Sequence, residues 1–222
     1  MKIIMLVGPS GSGKTTVENL LEREGCLKVI SHTSRDMRTG ETEGIDYHFV
    51  NRDFFEENKD NFLEIVEFSG NLYGAFQYSL NDTLVNILVV EPNGQKQIQA
   101  YCRDNNIDCE TYLLYISAEG QYNRMISRGD PVKLVEKRIS SEKIAEEMTD
   151  LEGVTCTFDT EREEFSANII ADIITLKSNL KKSYMLSPNR LLRLGRVANR
   201  DLSMDTPIDT ILAVVDNLIK EL

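Results

Sequence analysis

The 222-residue chain contains no tryptophan, only two histidines and only four cysteines. The cysteines have no CxxC spacing, and neither histidine lies in a spacing typical of metal ligands, so the sequence predicts neither a zinc site nor a disulfide framework. We expect reduced, buried thiols and histidines with structural or incidental roles. These residues are Cys26, Cys102, Cys109, Cys156, His32 and His48.

Long hydrophobic runs are also missing. The apolar run Ile3–Val7 ends at Gly8-Pro9 and is far too short to span a bilayer. A signal peptide would need a longer apolar core and a cleavage site with small residues. We therefore expect a cytoplasmic protein without a membrane partner.

Positive charge is scarce, with 25 Lys and Arg against 36 Asp and Glu, a formal net charge of −11. This balance argues against general affinity for nucleic acid, which requires a positive face that displaces counterions. A local cluster of arginines can still hold a small polyanion inside an acidic protein. The charge therefore leaves nucleotides open as ligands.

Short apolar segments alternate with segments of helical periodicity along most of the chain. We predict strands at 2–7, 27–30, 62–68, 86–90, 111–116 and 154–158 and helices at 14–24, 52–58, 95–104, 118–127, 132–148 and 161–178. Strands that alternate with helices favour a parallel sheet covered on both faces. The sequence thus predicts an α/β fold.

Residues 8–15 match the phosphate-binding pattern GxxxxGK[ST], and they lie between a predicted strand and a predicted helix. Glycines let successive backbone N–H groups surround a phosphate, and the following helix adds the positive end of its dipole. Lys14 would bridge the β- and γ-phosphates, and the Thr15 hydroxyl would bind Mg²⁺. The predicted ATP-binding residues here are Gly8, Ser10, Gly11, Ser12, Gly13, Lys14, Thr15 and Thr16.

A switch GTPase does not fit the remaining sequence. Such proteins need an NKxD motif for the base, but Asn58-Lys59 is followed by Asp60-Asn61. The DxxG pattern at 150–153 follows a polar stretch instead of a buried strand. We interpret it as a chance match.

Three further segments resemble the guanylate kinase family in order and spacing. They are Ser31–Glu41 with Gly44–Val50, Phe62–Glu64 with Gly70–Gly74, and Ile87–Gly94. With the phosphate loop, the resemblance covers Lys2 to about Ser178. It implies a P-loop NTPase three-layer fold with a parallel core sheet, a monophosphate-binding insertion and a helical lid.

The resemblance also implies an acceptor site. Two guanidinium groups, Arg35 and Arg38, can clamp one phosphate dianion, and the hydroxyls of Tyr47 and Tyr73 can donate to it. The Glu64 carboxylate offers two acceptors for the N1–H and 2-amino donors of guanine. The predicted monophosphate-binding residues are Ser31, Arg35, Arg38, Tyr47, Glu64, Tyr73 and Ala75.

Arginines in residues 118–146 resemble those of the family's lid. Arginines that arrive when a lid closes can neutralise the transferring phosphoryl group and exclude water. From this resemblance we expect Arg124 to bind ATP and Arg128 and Arg138 to join Lys14, Arg35 and Arg38 as catalytic residues.

The sequence departs from the family at several positions. Ala75 replaces a hydroxyl residue that contacts the guanine carbonyl, and Val89 and Glu91 stand where two aspartates are usual. Glu91 could still hold a water of the Mg²⁺ shell or orient an arginine. One residue fewer than usual separates Gly129 from Arg138.

The resemblance implies an Mg²⁺-dependent kinase that converts ATP and GMP or dGMP to ADP and GDP or dGDP. Three alternatives remain open: a kinase for another or modified deoxynucleoside monophosphate, a sugar-phosphate kinase, and a non-catalytic guanylate-kinase-like binding module. We expect a core ATP-binding domain (1–31, 85–117 and 147–180), a monophosphate-binding subdomain (32–84) and a lid (118–146).

Residues 181–222 form an extension that the resemblance does not explain. They carry seven basic and five acidic residues, and an apolar stripe runs along a helix predicted from Pro207 to the end. The stripe favours packing on this domain or on a second copy in a homo-oligomer. A basic patch could instead meet a partner through Arg190, Arg193, Arg196 and Arg200.

Overall fold

The structure, a computed structural model, describes residues 1–140, 151–178, 180 and 186–222. Five parallel strands form the first sheet in the order β2-β7-β1-β8-β9. They are β1 (Lys2–Val7), β2 (Leu27–Lys28), β7 (Val85–Val89), β8 (Asp108–Tyr115) and β9 (Cys156–Asp159). Strand β1 lies at the centre, where both faces are covered, and this explains its uninterrupted apolar run.

A second, four-stranded sheet has the order β4-β3-β6-β5. Its strands are β3 (His32–Thr33), β4 (His48–Phe49), β5 (Phe62–Phe68) and β6 (Asn71–Phe76). Strands β5 and β6 form an antiparallel hairpin, in which Glu64 lies opposite Ala75. All four strands come from the segment that the sequence assigns to the acceptor.

In the described part of the chain, α-helices connect or follow the strands of the first sheet, and one, Arg52–Glu57, lies between two strands of the second sheet. They are α1 (Lys14–Arg23), α2 (Arg52–Glu57), α3 (Pro92–Asp104), α4 (Ala118–Ser127), α5 (Val132–Ile139), α6 (Ala167–Lys177), α7 (Pro188–Ala198) and α8 (Ile208–Glu221). None of these helices combines the length and apolar character that crossing a bilayer requires. The predicted α/β fold with a parallel core sheet is confirmed.

Several predicted boundaries were wrong. Strand β2 ends at Lys28 instead of residue 30, and α3 begins at Pro92, three residues before the predicted start, because proline suits the first turn of a helix. The predicted helix 161–178 consists of a 3₁₀ turn (Glu163–Phe165) followed by α6. Residues 141–148 of the predicted helix 132–148 lie outside the described residues.

The extension packs on the same chain. Its buried residues share one apolar cluster with α6 and with the core strands. The cluster members from the extension are Leu186, Leu191, Leu192, Leu194, Leu202, Ile211 and Val215. Of the two partners expected for the apolar stripe, this domain and a second copy, the structure shows contacts of Ile211 and Val215 with this domain, although Ile208 at the start of the stripe is exposed.

The extension's arginines bond within the chain. Arg190 and Arg193 pair with Asp172 of α6, Arg196 donates to a backbone carbonyl, and Arg200 pairs with Glu164. Each of these bonds involves the guanidinium group. The arginines of the predicted basic patch are therefore engaged in bonds within the chain, and a partner that contacts them stays a prediction.

Both histidines lie in the second sheet. The ring of His32 packs among Phe54, Phe62 and Phe76, and burial lowers its pKa to about 4. His48 contacts the Glu43 carboxylate at 3.0 Å. The ring contacts of His32 fit a structural role.

Candidate active site

A cavity of about 520 Å³ lies between the phosphate loop and the second sheet. The carboxyl ends of β1 and β7 open toward it, as is usual for ligand sites in parallel sheets. The predicted site residues that line it are Ser10, Gly11, Ser12, Gly13, Lys14, Thr15, Thr16, Ser31, Arg35, Arg38, Tyr47, Glu64, Tyr73, Glu91, Arg124, Arg128 and Arg138. The structure thus brings the two predicted halves of the site together.

The phosphate loop takes a conformation that requires its glycines. Gly13 has φ +96°, in the left-handed region, directly before the first residue of α1. A Cβ on Gly8 would lie 2.3 Å from the backbone oxygen of Leu114, so only glycine fits beside β8. Gly8 therefore allows the loop to pass close to β8 and does not itself line the cavity.

The ammonium group of Lys14 points along the loop. Its Nζ donates to the carbonyl oxygens of Gly8 at 2.6 Å and Pro9 at 2.9 Å. Burial lowers the pKa of Lys14, and the carboxylate of Glu91 opposes this shift. A second anion in the cavity would reinforce the charged form.

Arg35 is held in place by Glu41, a residue that the sequence prediction did not include. Two parallel hydrogen bonds of 2.6 Å join the guanidinium of Arg35 to the carboxylate of Glu41, a geometry that fixes the plane of the arginine. The same carboxylate accepts from the backbone N–H of Arg38. Glu41 therefore orders the segment that carries both arginines.

The two tyrosines of the predicted phosphate site lie close to Arg35. The rings of Tyr47 and Tyr73 are 6.0 Å apart, and the Arg35 guanidinium lies 4.9 Å from the centre of the Tyr47 ring. Burial raises the pKa of Tyr47 to about 12, so its hydroxyl remains a donor at neutral pH. Arg35 and the two phenols thus form one cationic, donor-rich corner.

Glu64, on β5, lines the same cavity and is buried, with 4% of its surface exposed. Its Oε1 accepts from the backbone N–H of Ala75 at 2.9 Å. Burial raises the pKa of Glu64 to about 8. A buried carboxylate with remaining acceptor capacity is suited to a ligand that brings its own donors.

The structure differs from the prediction at Ala75. This residue does not line the cavity, since its side chain is fully buried in the apolar cluster with Ile3, Met5 and Leu88. Its backbone N–H orients Glu64 instead. Residue type could not reveal this role, because any residue except proline supplies a backbone N–H.

Asp130, a second residue missing from the prediction, organises two cavity arginines. Its carboxylate accepts from Arg128 Nε at 3.0 Å and lies 3.6 Å from Arg138 Nη1. Arg138 is largely buried although it carries a charge. A buried arginine directed at a cavity is suited to an anionic ligand.

The wall beside the phosphate loop contains residues that sequence reasoning missed. Arg124 Nη1 donates to the Gly11 carbonyl and to Thr160 Oγ1, both at 3.1 Å, and so joins the loop to the segment after β9. The other wall residues that were missed are Phe165, Ser166, Ala167 and Ile170. A helix that starts after the last strand of a parallel sheet is the signal that could have found them.

The oxygen donors in the cavity suit Mg²⁺. Thr15 and Glu91 line it, and Mg²⁺ is usually bound by one or two protein oxygens together with waters and phosphate oxygens. Among the described residues there is no cluster of three or more His, Cys, Asp or Glu side chains that could hold a metal alone. The site therefore fits an ion that arrives with a nucleotide.

Comparisons with known proteins show which proteins the chain resembles. The guanylate kinase of Clostridioides difficile (strain 630) is 33% identical over 147 residues, which cover 62% of this chain and 70% of that protein. The guanylate kinase of Prochlorococcus marinus (strain CCMP1986) is 32% identical over 148 residues, covering 63% of this chain and 79% of that protein.

The crystal structure of guanylate kinase from Anaplasma phagocytophilum matches with a TM-score of 0.60 at 24% identity, over 90% of this chain and 96% of that chain. At this identity the match supports the fold. A family model described as guanylate kinase matches residues 1–174, well over half of the chain. The chain therefore belongs to the guanylate kinase family.

Proposed function

We propose that this protein transfers the γ-phosphoryl group of ATP to GMP or dGMP and releases ADP and GDP or dGDP. One observation carries the proposal: a single cavity is lined both by a phosphate loop with Lys14 and by a buried carboxylate, Glu64, beside an arginine–tyrosine corner. Such a cavity can hold a nucleoside triphosphate and a nucleoside monophosphate with their phosphates facing each other.

The reaction needs positioning and charge neutralisation more than proton transfer. A phosphate oxygen of GMP forms a bond to the γ-phosphorus of ATP, while the bond from that phosphorus to the β,γ-bridging oxygen breaks. The electron pair of the broken bond leaves on ADP. Because the attacking oxygen belongs to a phosphate anion, no general base is required.

We assign the donor phosphates to the backbone N–H groups of residues 8–15 and to Lys14, with Arg124 beside them. Thr15 would hold Mg²⁺ directly and Glu91 through a water, and the bound ion supplies neutralisation of the β- and γ-phosphate oxygens. Arg128 and Arg138 supply further positive charge where the transferring group passes.

We assign the acceptor phosphate to Arg35, Arg38, Tyr47 and Tyr73, and the acceptor base to Glu64 with Ser31 nearby. The ionised carboxylate has acceptors for both N1–H and the 2-amino group of guanine. Adenine lacks this pair of donors on its Watson–Crick edge. The buried carboxylate would then be left without a partner, which disfavours adenine.

We further propose the division into a core domain (1–31, 85–117 and 147–180), a monophosphate-binding subdomain (32–84) and a lid (118–146). The second sheet falls within 32–84. We also propose that the protein works in the cytoplasm, where ATP and GMP are available, and does not bind nucleic acid, given its net charge of −11. A homo-oligomer through the extension stays a prediction.

An acceptor panel tests the proposal. Wild-type protein is incubated with ATP, Mg²⁺ and one of GMP, dGMP, AMP, CMP or UMP, and ADP release is followed in a coupled assay. We expect kcat/KM for GMP and dGMP to exceed that for AMP by at least about 100-fold. The Lys14→Ala variant, which removes a donor to the transferring group, should lower kcat by roughly 10²–10³.

The panel also separates the alternatives. Equal rates with all bases, or a preference for a base other than guanine, would contradict the acceptor assignment. ADP release that is equally slow in wild type and Lys14→Ala with every acceptor would support a non-catalytic module. The family membership and the intact Lys14 and Thr15 do not favour that outcome.

A further inference from the structure

The extension contacts helix α6, and Ala167 and Ile170 of this helix line the cavity. Asp172 of α6 is 2% exposed, and its carboxylate accepts from Arg190 Nε at 3.0 Å and from Arg193 Nη2 at 2.8 Å. Apolar residues of α7 and α8 share the apolar cluster of α6. The family model ends at residue 174, so these contacts come from a part of the chain that the family match does not cover.

A second contact reaches the 3₁₀ turn before α6. The guanidinium of Arg200 pairs with the carboxylate of Glu164, which lies in the turn Glu163–Phe165. Phe165, next in the chain, and Ser166 after it both line the nucleotide cavity. The extension thus holds the turn from the side opposite the nucleotide.

The turn has open space behind it. A second cavity of about 450 Å³ lies between the turn and the extension, lined among others by Glu164, Ser166, Arg193 and Arg196. Ser166 lines both cavities, so the turn and the start of α6 form a thin partition. Phe165 packs on Phe158 of the core, with ring centres 5.5 Å apart, whereas the carboxylate of Glu164 is held by ion pairs to Arg200 and, at 3.7 Å, to Arg162. The side of the turn that faces the second cavity therefore depends on these ion pairs to stay in place.

The turn and the start of α6 line the donor end of the nucleotide cavity. Arg124 donates hydrogen bonds both to Gly11 of the phosphate loop and to Thr160, which lies only a few residues before the turn. The acceptor residues come instead from the second sheet and its connecting loops. A shift of the turn should therefore change donor binding and leave the acceptor site unchanged.

We propose that Arg200 is a positioning residue for the donor nucleotide, because its ion pair with Glu164 holds the wall formed by Phe165 and Ser166 in place. This inference rests on the proposed function for the identity of the donor, ATP. It gives the extension a role in the reaction without contact between the extension and substrate. Arg196 and Arg193 have partners of their own and anchor α7.

The test compares ATP binding by wild type and Arg200→Ala, measured by calorimetric titration of the full chain, with KM for ATP and for GMP measured in parallel. We expect Kd and KM for ATP to rise about two- to fivefold, as for loss of an exposed ion pair. KM for GMP, kcat at saturating ATP and the thermal midpoint should stay at wild-type values. Glu164→Ala, which also removes the 3.7 Å pair between Glu164 and Arg162, should raise Kd for ATP at least as much.

The charge exchange Glu164→Lys with Arg200→Glu should restore ATP binding, and 1 M salt should remove the difference between Arg200→Ala and wild type. Arg103→Ala is the matched control, since its side chain is also 75% exposed and pairs with Asp104 at 3.8 Å on α3. It should bind ATP like wild type.

Unchanged ATP binding by Arg200→Ala, or equal increases in KM for ATP and GMP, would overturn the inference. A wild-type protein that binds ATP but phosphorylates no monophosphate would contradict the proposed function. The ATP titration of Arg200→Ala would still decide the positioning role in that case. The two failures are therefore distinguishable.

Discussion

Burial determines the chemistry of the individual charged groups in the cavity. Glu64 must be ionised to accept from both guanine donors, yet burial favours its protonated form and raises its pKa to about 8. The bond from the Ala75 N–H opposes this shift. Acceptor binding should therefore be linked to the loss of a proton from Glu64 near neutral pH.

This linkage predicts a pH dependence for the acceptor. Below pH 8, kcat/KM for GMP should rise about tenfold per pH unit and then level off, because kcat/KM reports ionisation in the free enzyme. Rates are measured from pH 6.5 to 8.5, above the second phosphate pKa of about 6. In Glu64→Gln the rise should disappear and kcat/KM should be low throughout.

The same pKa gives the sign of a stability effect. Since the folded pKa of Glu64 lies above its ordinary value of 4.5, its contribution to the free energy of unfolding is largest below pH 4.5 and falls as the pH rises toward about 8. For the kinetic prediction, a flat kcat/KM profile in wild type, or an equal slope in Glu64→Gln, would contradict the assignment of Glu64.

At the scale of elements, helix α6 joins the cavity wall to the extension. It is buried along most of its length, and Asp172 is a carboxylate in the middle of that buried stretch. Such a group is tolerated only when it is paired. The two arginines one turn apart on α7 supply the pairing.

Replacing Asp172 with alanine should lower the free energy of unfolding by about 2–4 kcal/mol. The lower part of this range applies if Arg190 and Arg193, which are both partly exposed, regain water. Urea denaturation measures the change. Asp104→Ala, at a 72% exposed carboxylate, is the control and should change stability by less than about 0.5 kcal/mol.

A change of similar size in both variants would show that the Asp172 pairs do not stabilise α6. The prediction concerns stability, in contrast to Arg200, whose loss should affect ATP binding alone. We therefore expect the pairs of Asp172 with Arg190 and Arg193 to affect stability, and the pair of Glu164 with Arg200 to affect ATP binding.

Local sequence signals predicted some elements well and others poorly. Strand β1, the phosphate loop and α1 followed from an apolar run, fixed glycines and helical spacing, which are all local. Strand β6 was missed because it contains Gly74 and gains its strand character by pairing with β3 and β5. Gly74 is needed there, since a Cβ would lie 2.6 Å from the Glu64 backbone oxygen.

The missed roles depend on contacts that only the folded chain shows. Two arginines of helix α7, Arg190 and Arg193, pair with Asp172 and Glu24 outside the extension, so the sequence alone did not show that these charges are paired. Glu41 and Asp130 were missed although they lie close in sequence to Arg35 and Arg128, because the nearness of a carboxylate to an arginine in sequence does not show that the two side chains pair. Their roles arise from which cavity groups they contact, and a single sequence does not contain that information.

At the scale of the whole molecule, the fold brings two polyanion sites into one cavity. In the proposed assignment the donor site is built on the first sheet and the acceptor site on the second. Arginines from α4, α5 and the loop between them lie at the same cavity. The extension lies outside the region that the family model matches and packs on α6, and we propose that this packing supports the donor side. Catalysis in this account depends on the relative placement of the two sites.

The most direct test of that placement is calorimetric titration with adenosine and guanosine joined 5′ to 5′ through five phosphates. We expect one analogue per chain, bound at least about 100-fold more tightly than ATP or GMP alone, because one molecule occupies both sites. Lys14→Ala and Arg35→Ala should each weaken it. Binding no tighter than that of ATP would contradict the account.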